Sequence, residues 1–73
     1  MDIFVPANDH RPAHVHVVKA GNEAVFVLNC PAGPVSLREN HGFKRSELNG
    51  IELELNAMTE RLCTEWGQIH GEP

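Results

Sequence analysis

The chain has 73 residues and a formal net charge of −4 at pH 7, with 41% hydrophobic and 22% charged residues. A chain of this length has room for one small hydrophobic core, so a single domain over residues 1–73 is expected. Residues 1–45 carry five Lys or Arg against four Asp or Glu, whereas residues 46–73 carry one Arg against six Glu. This acidic half argues against a general nucleic-acid-binding protein, which needs a basic surface.

The N-terminus and the two cysteines bear on the cellular compartment. Residues 1–6 contain neither a basic segment nor a long apolar run, so no secretory signal and no transmembrane helix are predicted. Cys30 and Cys63 form no C-x-x-C motif. Two isolated cysteines in so short a chain favour reduced thiols in a cytoplasmic protein over a disulfide, and a mixed Cys/His zinc site is favoured least.

Short β-rich runs separated by turn residues predict the strands. A first strand over residues 3–5 ends at Pro6, and residues 6–13 form a turn-rich loop. Further strands are predicted over residues 14–19, 24–28 and 35–38. Residues 40–42 are predicted to form the turn that follows the last strand.

The second and third strands are predicted to form a β-hairpin. Gly21 at the first central position suits a two-residue type II′ turn, which needs a positive φ there. That turn would place Val17 opposite Phe26 and Val15 opposite Leu28, on one apolar face. Because side chains alternate along a strand, His14 and His16 share the opposite face, about 7 Å apart.

The C-terminal third has the periodicity of an amphipathic helix. Apolar residues recur every three or four positions over about six turns; they are Leu48, Ile51, Leu55, Met58, Leu62, Trp66 and Ile69. Ser46 or Asn49 is the expected N-cap, and Gly71 and Pro73 end the helix. The stripe is expected to pack on the sheet rather than form a coiled-coil seam. The predicted fold is therefore α+β: a small antiparallel sheet of three to four strands followed by one long C-terminal helix packed on one face.

The segment of residues 9–16 holds the candidate site. Three of the five histidines lie within it, next to an aspartate and a proline, and histidine is both the commonest metal ligand and the side chain that titrates nearest neutrality. The candidate binding residues are Asp9, His10, Arg11, His14 and His16.

Three interpretations of this segment remain open. In the structural one, Asp9 bonds backbone amides in an Asx-type turn and His10 holds the loop by hydrogen bonds. In the metal one, the loop folds His10 back beside His14 and His16, and the three imidazoles bind zinc or another divalent transition metal. In the catalytic one, His10 or His14 acts as general base or acid, oriented by Asp9, while Arg11 neutralises a phosphate-like charge.

The motif Asp-His-x-Pro-x-His-x-His before a hairpin and a helix resembles a bacterial family called domain of unknown function 4160. The residues that carry the resemblance are Asn8, Asp9, His10, Pro12, His14 and His16, with weaker agreement at residues 23–25 and at Leu55, Leu62 and Trp66. The family commonly has a second proline where Ala13 stands, and a longer first strand. A short first strand leaves a sheet edge less protected, so pairing with a partner is possible there.

The resemblance implies a small α+β protein, often encoded beside another small protein and suspected of belonging to toxin–antitoxin-like pairs. The leading hypothesis is therefore a small non-enzymatic bacterial binding module that meets a second small protein through its histidine loop and sheet surface. The alternative is a metal-dependent or histidine-based hydrolase, ribonuclease-like, that uses the same loop. A cytoplasmic monomer or weak homodimer without a membrane partner is expected.

Overall fold

A computed structural model describes residues 1–71 and shows an α+β fold with a four-stranded antiparallel sheet followed by two helices. The strands lie in the order β1-β2-β3-β4; they are β1 (Asp2–Phe4), β2 (His14–Lys19), β3 (Asn22–Val27) and β4 (Ser36–His41). The helices are α1 (Arg45–Ala57) and α2 (Thr59–His70). The fold class and the sheet are confirmed, whereas the prediction of one long helix is wrong. No helix within residues 1–71 is long and apolar enough to cross a membrane.

The core lies between one face of the sheet and the two helices. Strands β2 and β3 supply alternate residues to it, because neighbouring side chains of a strand point to opposite faces. The core residues include Val15, Val17, Ala24 and Phe26 from the sheet and Leu48, Ile51, Leu55, Leu62 and Trp66 from the helices. Trp66 and Leu62 are buried, as predicted, so the helical stripe packs on the sheet.

The predicted helix is interrupted at Met58, which belongs to neither helix. The Thr59 hydroxyl donates a hydrogen bond to the Leu55 carbonyl (2.9 Å), and the Asn56 side chain accepts one from the Val35 backbone N–H (2.8 Å). A side-chain hydroxyl bonded to a carbonyl of the preceding turn bends helices. The break moves the buried position from Met58 to Thr59, and Ile69, predicted to continue the stripe, is half exposed.

Strands β1 and β3 and the start of β4 lie one or two residues from their predicted bounds. Two further boundaries differ from prediction because side chains bond to nearby backbone. Helix α1 begins at Arg45 with Lys44 as N-cap, and the Glu47 carboxylate accepts a hydrogen bond from the Lys44 N–H (3.0 Å). Neither Ser46 nor Asn49 caps the helix. Strand β4 runs on through the predicted turn to His41, because the Asn40 side chain bonds to both the N–H and the carbonyl of Phe43 and makes the turn later.

The β2–β3 hairpin has a two-residue turn, but its register is not the predicted one. The turn residues are Ala20 and Gly21, both with positive φ (51° and 80°), so Val15 lies opposite Phe26 and Val17 opposite Ala24. The observed turn adds a Lys19–Asn22 pair to the ladder at the cost of a left-handed Ala20. The shift preserves which residues face the core, so Val15 remains buried.

Cys30 and Cys63 form a disulfide, so the prediction of reduced thiols is wrong. The bond joins the segment after β3 to α2, and packing of α2 on the sheet brings the two cysteines together. Disulfides persist mainly in oxidising compartments, so the cysteines no longer support a cytoplasmic location.

Substitution of Leu62 tests the packing of α2. Leu62→Ala is expected to lower the free energy of unfolding by about 2–5 kcal/mol, because the side chain is buried and leaves a cavity. Leu53→Ala is the matched control: this leucine is 77% exposed and its loss should cost less than about 0.5 kcal/mol. Denaturant unfolding of both variants measures the difference, and equal costs would contradict the packing.

Substitution of Gly21 tests the turn. Gly21→Val is expected to destabilise the protein by about 1–2 kcal/mol, because a β-branched residue resists a positive φ. Gly21→Asn should cost less, since asparagine tolerates this conformation. Thermal unfolding of the two variants compares them, and a valine variant as stable as the asparagine variant would exclude the left-handed turn.

Candidate functional site

Asp9, His14 and His16 come together and are named here the histidine site. One potential ligand atom from each residue lies within 4.8 Å of those of the other two. His14 and His16 share a face of β2, and the loop before β2 places Asp9 over both rings. Asp9 Oδ2 lies 2.9 Å from His14 Nε2 and 3.3 Å from His16 Nε2. One carboxylate oxygen therefore faces both imidazoles.

The other nitrogen of each ring faces a second acceptor. His14 Nδ1 lies 2.8 Å from the Pro12 carbonyl oxygen, and His16 Nδ1 lies 2.9 Å from Glu23 Oε2. Because a carbonyl and a carboxylate accept hydrogen bonds, both Nδ1 atoms carry the proton and donate it. These contacts fix the ring orientations and direct both Nε2 atoms to Asp9.

Aromatic contacts hold the two rings in different surroundings. His14 is buried, with its ring centroid 5.2 Å from that of Trp66 in α2. His16 is half-buried, and its ring stacks on the exposed Phe4 of β1 at 5.1 Å. Trp66 also stacks on His70, whose Nε2 donates to the Pro6 carbonyl (2.6 Å) and ties the start of the loop to α2.

The charge on Asp9 is stabilised by its neighbours. When the Nε2 atoms carry protons, hydrogen bonds from His14, and then from His16, hold the pKa of the Asp9 carboxyl below its usual range. The side chain therefore remains a carboxylate near neutral pH. It can serve as a hydrogen-bond acceptor or as a metal ligand.

The sequence profile of the family described as "Domain of unknown function (DUF4160)" matches residues 2–67. The chain belongs to this family. The matched segment contains all four strands, α1 and the histidine site. No curated protein and no solved structure matches the chain.

The five candidate residues of this DUF4160 domain occupy two places. Asp9, His14 and His16 form the histidine site, whereas the His10 and Arg11 side chains are exposed and lie outside it. The metal hypothesis predicts His10 as the third ligand beside His14 and His16. In the structure the third group next to the two imidazoles is the Asp9 carboxylate. His10 and Arg11 instead line an adjacent surface pocket of about 220 Å³; its other lining residues are Asp9, His14 and Arg38.

Four residues that support the site were not predicted from the sequence to do so: Phe4, Glu23, Trp66 and His70. The contact between Glu23 and His16 could have been predicted, since Glu23 shares the β3 face that lies beside His16. The predicted register places Glu23 in the turn, so the contact between Glu23 and His16 was not predicted. Trp66 was predicted only as a core residue, and no local pattern connects His70 to Pro6.

A second surface feature is a groove between β1 and α1, named here the edge groove, of about 670 Å³. Its apolar lining comprises Met1, Ile3, Phe43, Ile51 and Met58, and its polar lining includes Lys19, Glu47 and Glu54. Strand β1 is the last strand of the sheet on this side, so one row of its backbone groups faces no other strand of the described chain. The groove therefore combines a free strand edge with an apolar floor.

Alanine substitutions test how much His14 and His10 each contribute to the stability of the fold. His14→Ala is expected to lower the free energy of unfolding by about 1–3 kcal/mol, because it removes a buried ring and leaves its partners unpaired. His10→Ala, at an exposed position two residues before Pro12, should change it by less than about 0.5 kcal/mol. Denaturant unfolding measures both, and a larger cost at His10 would contradict the observed loop.

Proposed function

We propose that this chain is a small non-enzymatic binding module, one member of a bacterial protein pair, and that it takes up a basic extended segment of its partner along the free edge of β1. The observation that carries the proposal is the edge groove, in which an unpaired strand edge adjoins an apolar floor with acidic side chains. The resemblance to a family often encoded beside another small protein supports the pairing.

The two edges of the sheet differ in how they are protected. Strand β4 carries Arg38, Glu39 and His41, and its pairing with β3 contains an irregularity. Charged side chains and bulges discourage the addition of another strand. Strand β1 carries a single charged residue, Asp2, pairs with β2 without an irregularity and presents Ile3 to the groove. Of the two edges, β1 is thus the one suited to accept a strand.

Added along β1, a partner strand would contact both surface features. Its inward side chains would enter the apolar groove, as alternate residues do in strand addition. Its outward side chains would lie beside Phe4, which is 47% exposed and stacks on His16. The partner segment should therefore alternate apolar residues with polar ones.

Charge selects the polar residues of that partner. Glu47 and Glu54 line the groove against a single basic residue, Lys19. Glu52 adds a further charge on α1, and residues 46–73 carry six Glu against one Arg. A basic segment is attracted to this surface, and charge complementarity raises its association rate. A second copy of this chain fits less well, since β1 itself carries Asp2 and no basic residue.

A steric block tests the groove. An eight-residue peptide of alternating Lys and Val is expected to shift the amide resonances of β1 and α1, more weakly at high salt. Gly50→Leu should abolish the shifts, because Gly50 lines the groove and the space beside it is open. Gly67→Leu is the matched control, a helical glycine with equally open space outside the groove. Binding of a Glu/Val peptide with equal affinity, or equal binding by both variants, would refute the proposal.

The alternative function is a small hydrolase, ribonuclease-like, acting through the histidine site. The observation that favours it is the convergence of two imidazoles and a carboxylate beside a pocket lined by Arg11 and Arg38, whose cations suit a phosphate. Cleavage of RNA by the purified protein, abolished by His16→Ala and unchanged in Gly50→Leu, would establish this activity. That result would overturn the non-enzymatic proposal.

A further inference from the structure

Two neutral histidines have too few N–H donors to form all four hydrogen bonds of the histidine site. A neutral imidazole has one N–H donor and one nitrogen lone pair. Both Nδ1 atoms donate, to the Pro12 carbonyl and to Glu23, so each neutral ring would carry its lone pair on Nε2. Both Nε2 atoms, however, face Asp9 Oδ2, which is itself an acceptor. Three electron-rich atoms therefore face one another with no donor between them.

Protons or a metal ion can fill this position. Protons would require two imidazolium rings, with centroids 5.7 Å apart, to share one carboxylate oxygen. One of them would be the His14 ring, which is 2% exposed and packed against Trp66. Burial of a charge beside a like charge is costly. A single cation bound by both lone pairs and the carboxylate removes the repulsion without charging either ring.

We propose that Asp9 Oδ2, His14 Nε2 and His16 Nε2 together bind one divalent first-row transition-metal ion. Zinc ligands lie about 2.0–2.2 Å from the metal, so neighbouring ligands of a tetrahedral site are about 3.3 Å apart. The observed separations of Oδ2 from the two Nε2 atoms, 2.9 and 3.3 Å, are close to that value. The ligand atoms of the three residues all lie within 4.8 Å of one another, so the two imidazoles would close toward the tetrahedral spacing as the ion binds.

The outer contacts of the site are those of a metal centre. Metal-bound histidines usually donate their second N–H to a carboxylate or a backbone carbonyl, which fixes the tautomer and the ring orientation. Glu23 serves His16 in this way, and the Pro12 carbonyl serves His14. Both donors are on Nδ1, so both Nε2 lone pairs are free for the same ion.

The ligand set indicates the class of metal. Two imidazoles and one carboxylate suit zinc, iron(II), cobalt, nickel or copper, whereas magnesium and calcium prefer all-oxygen sites. Three protein ligands leave at least one coordination position for water or for a bound group. The pocket lined by Arg11 and Arg38 adjoins two of the ligands, Asp9 and His14.

Titration of the oxidised, untagged protein with zinc chloride tests the site. Isothermal calorimetry is expected to show one zinc ion bound per chain, with no binding of magnesium, and a thermal unfolding midpoint raised by zinc. The fluorescence of Trp66, the one tryptophan of the chain, should change with the same saturation, because His14 lies against its ring. Binding should weaken as the pH falls, since protons compete for Nε2.

Variants locate the ion without disturbing the core. Asp9→Asn and His16→Ala change side chains that are 45% and 20% exposed, and each should abolish saturable zinc binding. Glu23→Gln should weaken binding about 10–100-fold, since it removes the outer carboxylate. His10→Ala and His41→Ala are controls outside the site and should bind zinc as the unchanged protein does. Circular dichroism confirms that each variant folds.

Several results would overturn the inference. One is the absence of saturable zinc binding in the unchanged protein, accompanied by ¹⁵N resonances that show protons on all four ring nitrogens. Another is binding that survives both Asp9→Asn and His16→Ala. A third is binding lost in His10→Ala, which would place the ion elsewhere.

Discussion

The alternation of side chains along β2 is the constraint on which both the core and the histidine site depend. Val15 and Val17 point to the helices and are fully buried, whereas His14 and His16 alternate with them on the other face of the strand, where the His14 ring also contacts Trp66 of α2. Because a strand repeats every two residues, neither set can move without moving the other. A slip of one residue would bury His16 in the core and expose the valines, so the free energy of core packing also holds the imidazoles in register.

Trp66 connects this strand to the C-terminal helix. Its ring is fully buried between the core and His14, and it stacks on His70, which holds the Pro6 end of the loop. A domain of 73 residues buries a small core and commonly needs additional covalent or metal links. The Cys30–Cys63 disulfide is one such link. An ion at the histidine site would be a second, joining the loop to the sheet.

Strand β1 places the two proposed functions side by side. Ile3 faces the edge groove, and the next residue, Phe4, stacks on His16. The two surfaces share no lining residue, so a partner segment in the groove and an ion at the histidine site can be present together. A partner strand along β1 would cover Phe4 and reduce the access of water to His16.

Local patterns determined the α+β class, the bounds of β2, the core faces and the shared face of His14 and His16, because side-chain periodicity follows from backbone geometry alone. Contacts between distant segments decided the rest. At the break at Met58, the local bond from the Thr59 hydroxyl to the Leu55 carbonyl is joined by a bond from Asn56 to Val35, which is 21 residues away. Asp9, rather than His10, completes the site because the loop is held at both of its ends, by α2 and by His14. The turn lies one residue earlier than predicted, because the pairing of whole strands outweighs the strain at Ala20. This position of the turn places Glu23 on β3, where its carboxylate contacts His16. Such choices depend on which distant groups meet, and a one-dimensional pattern does not contain that information.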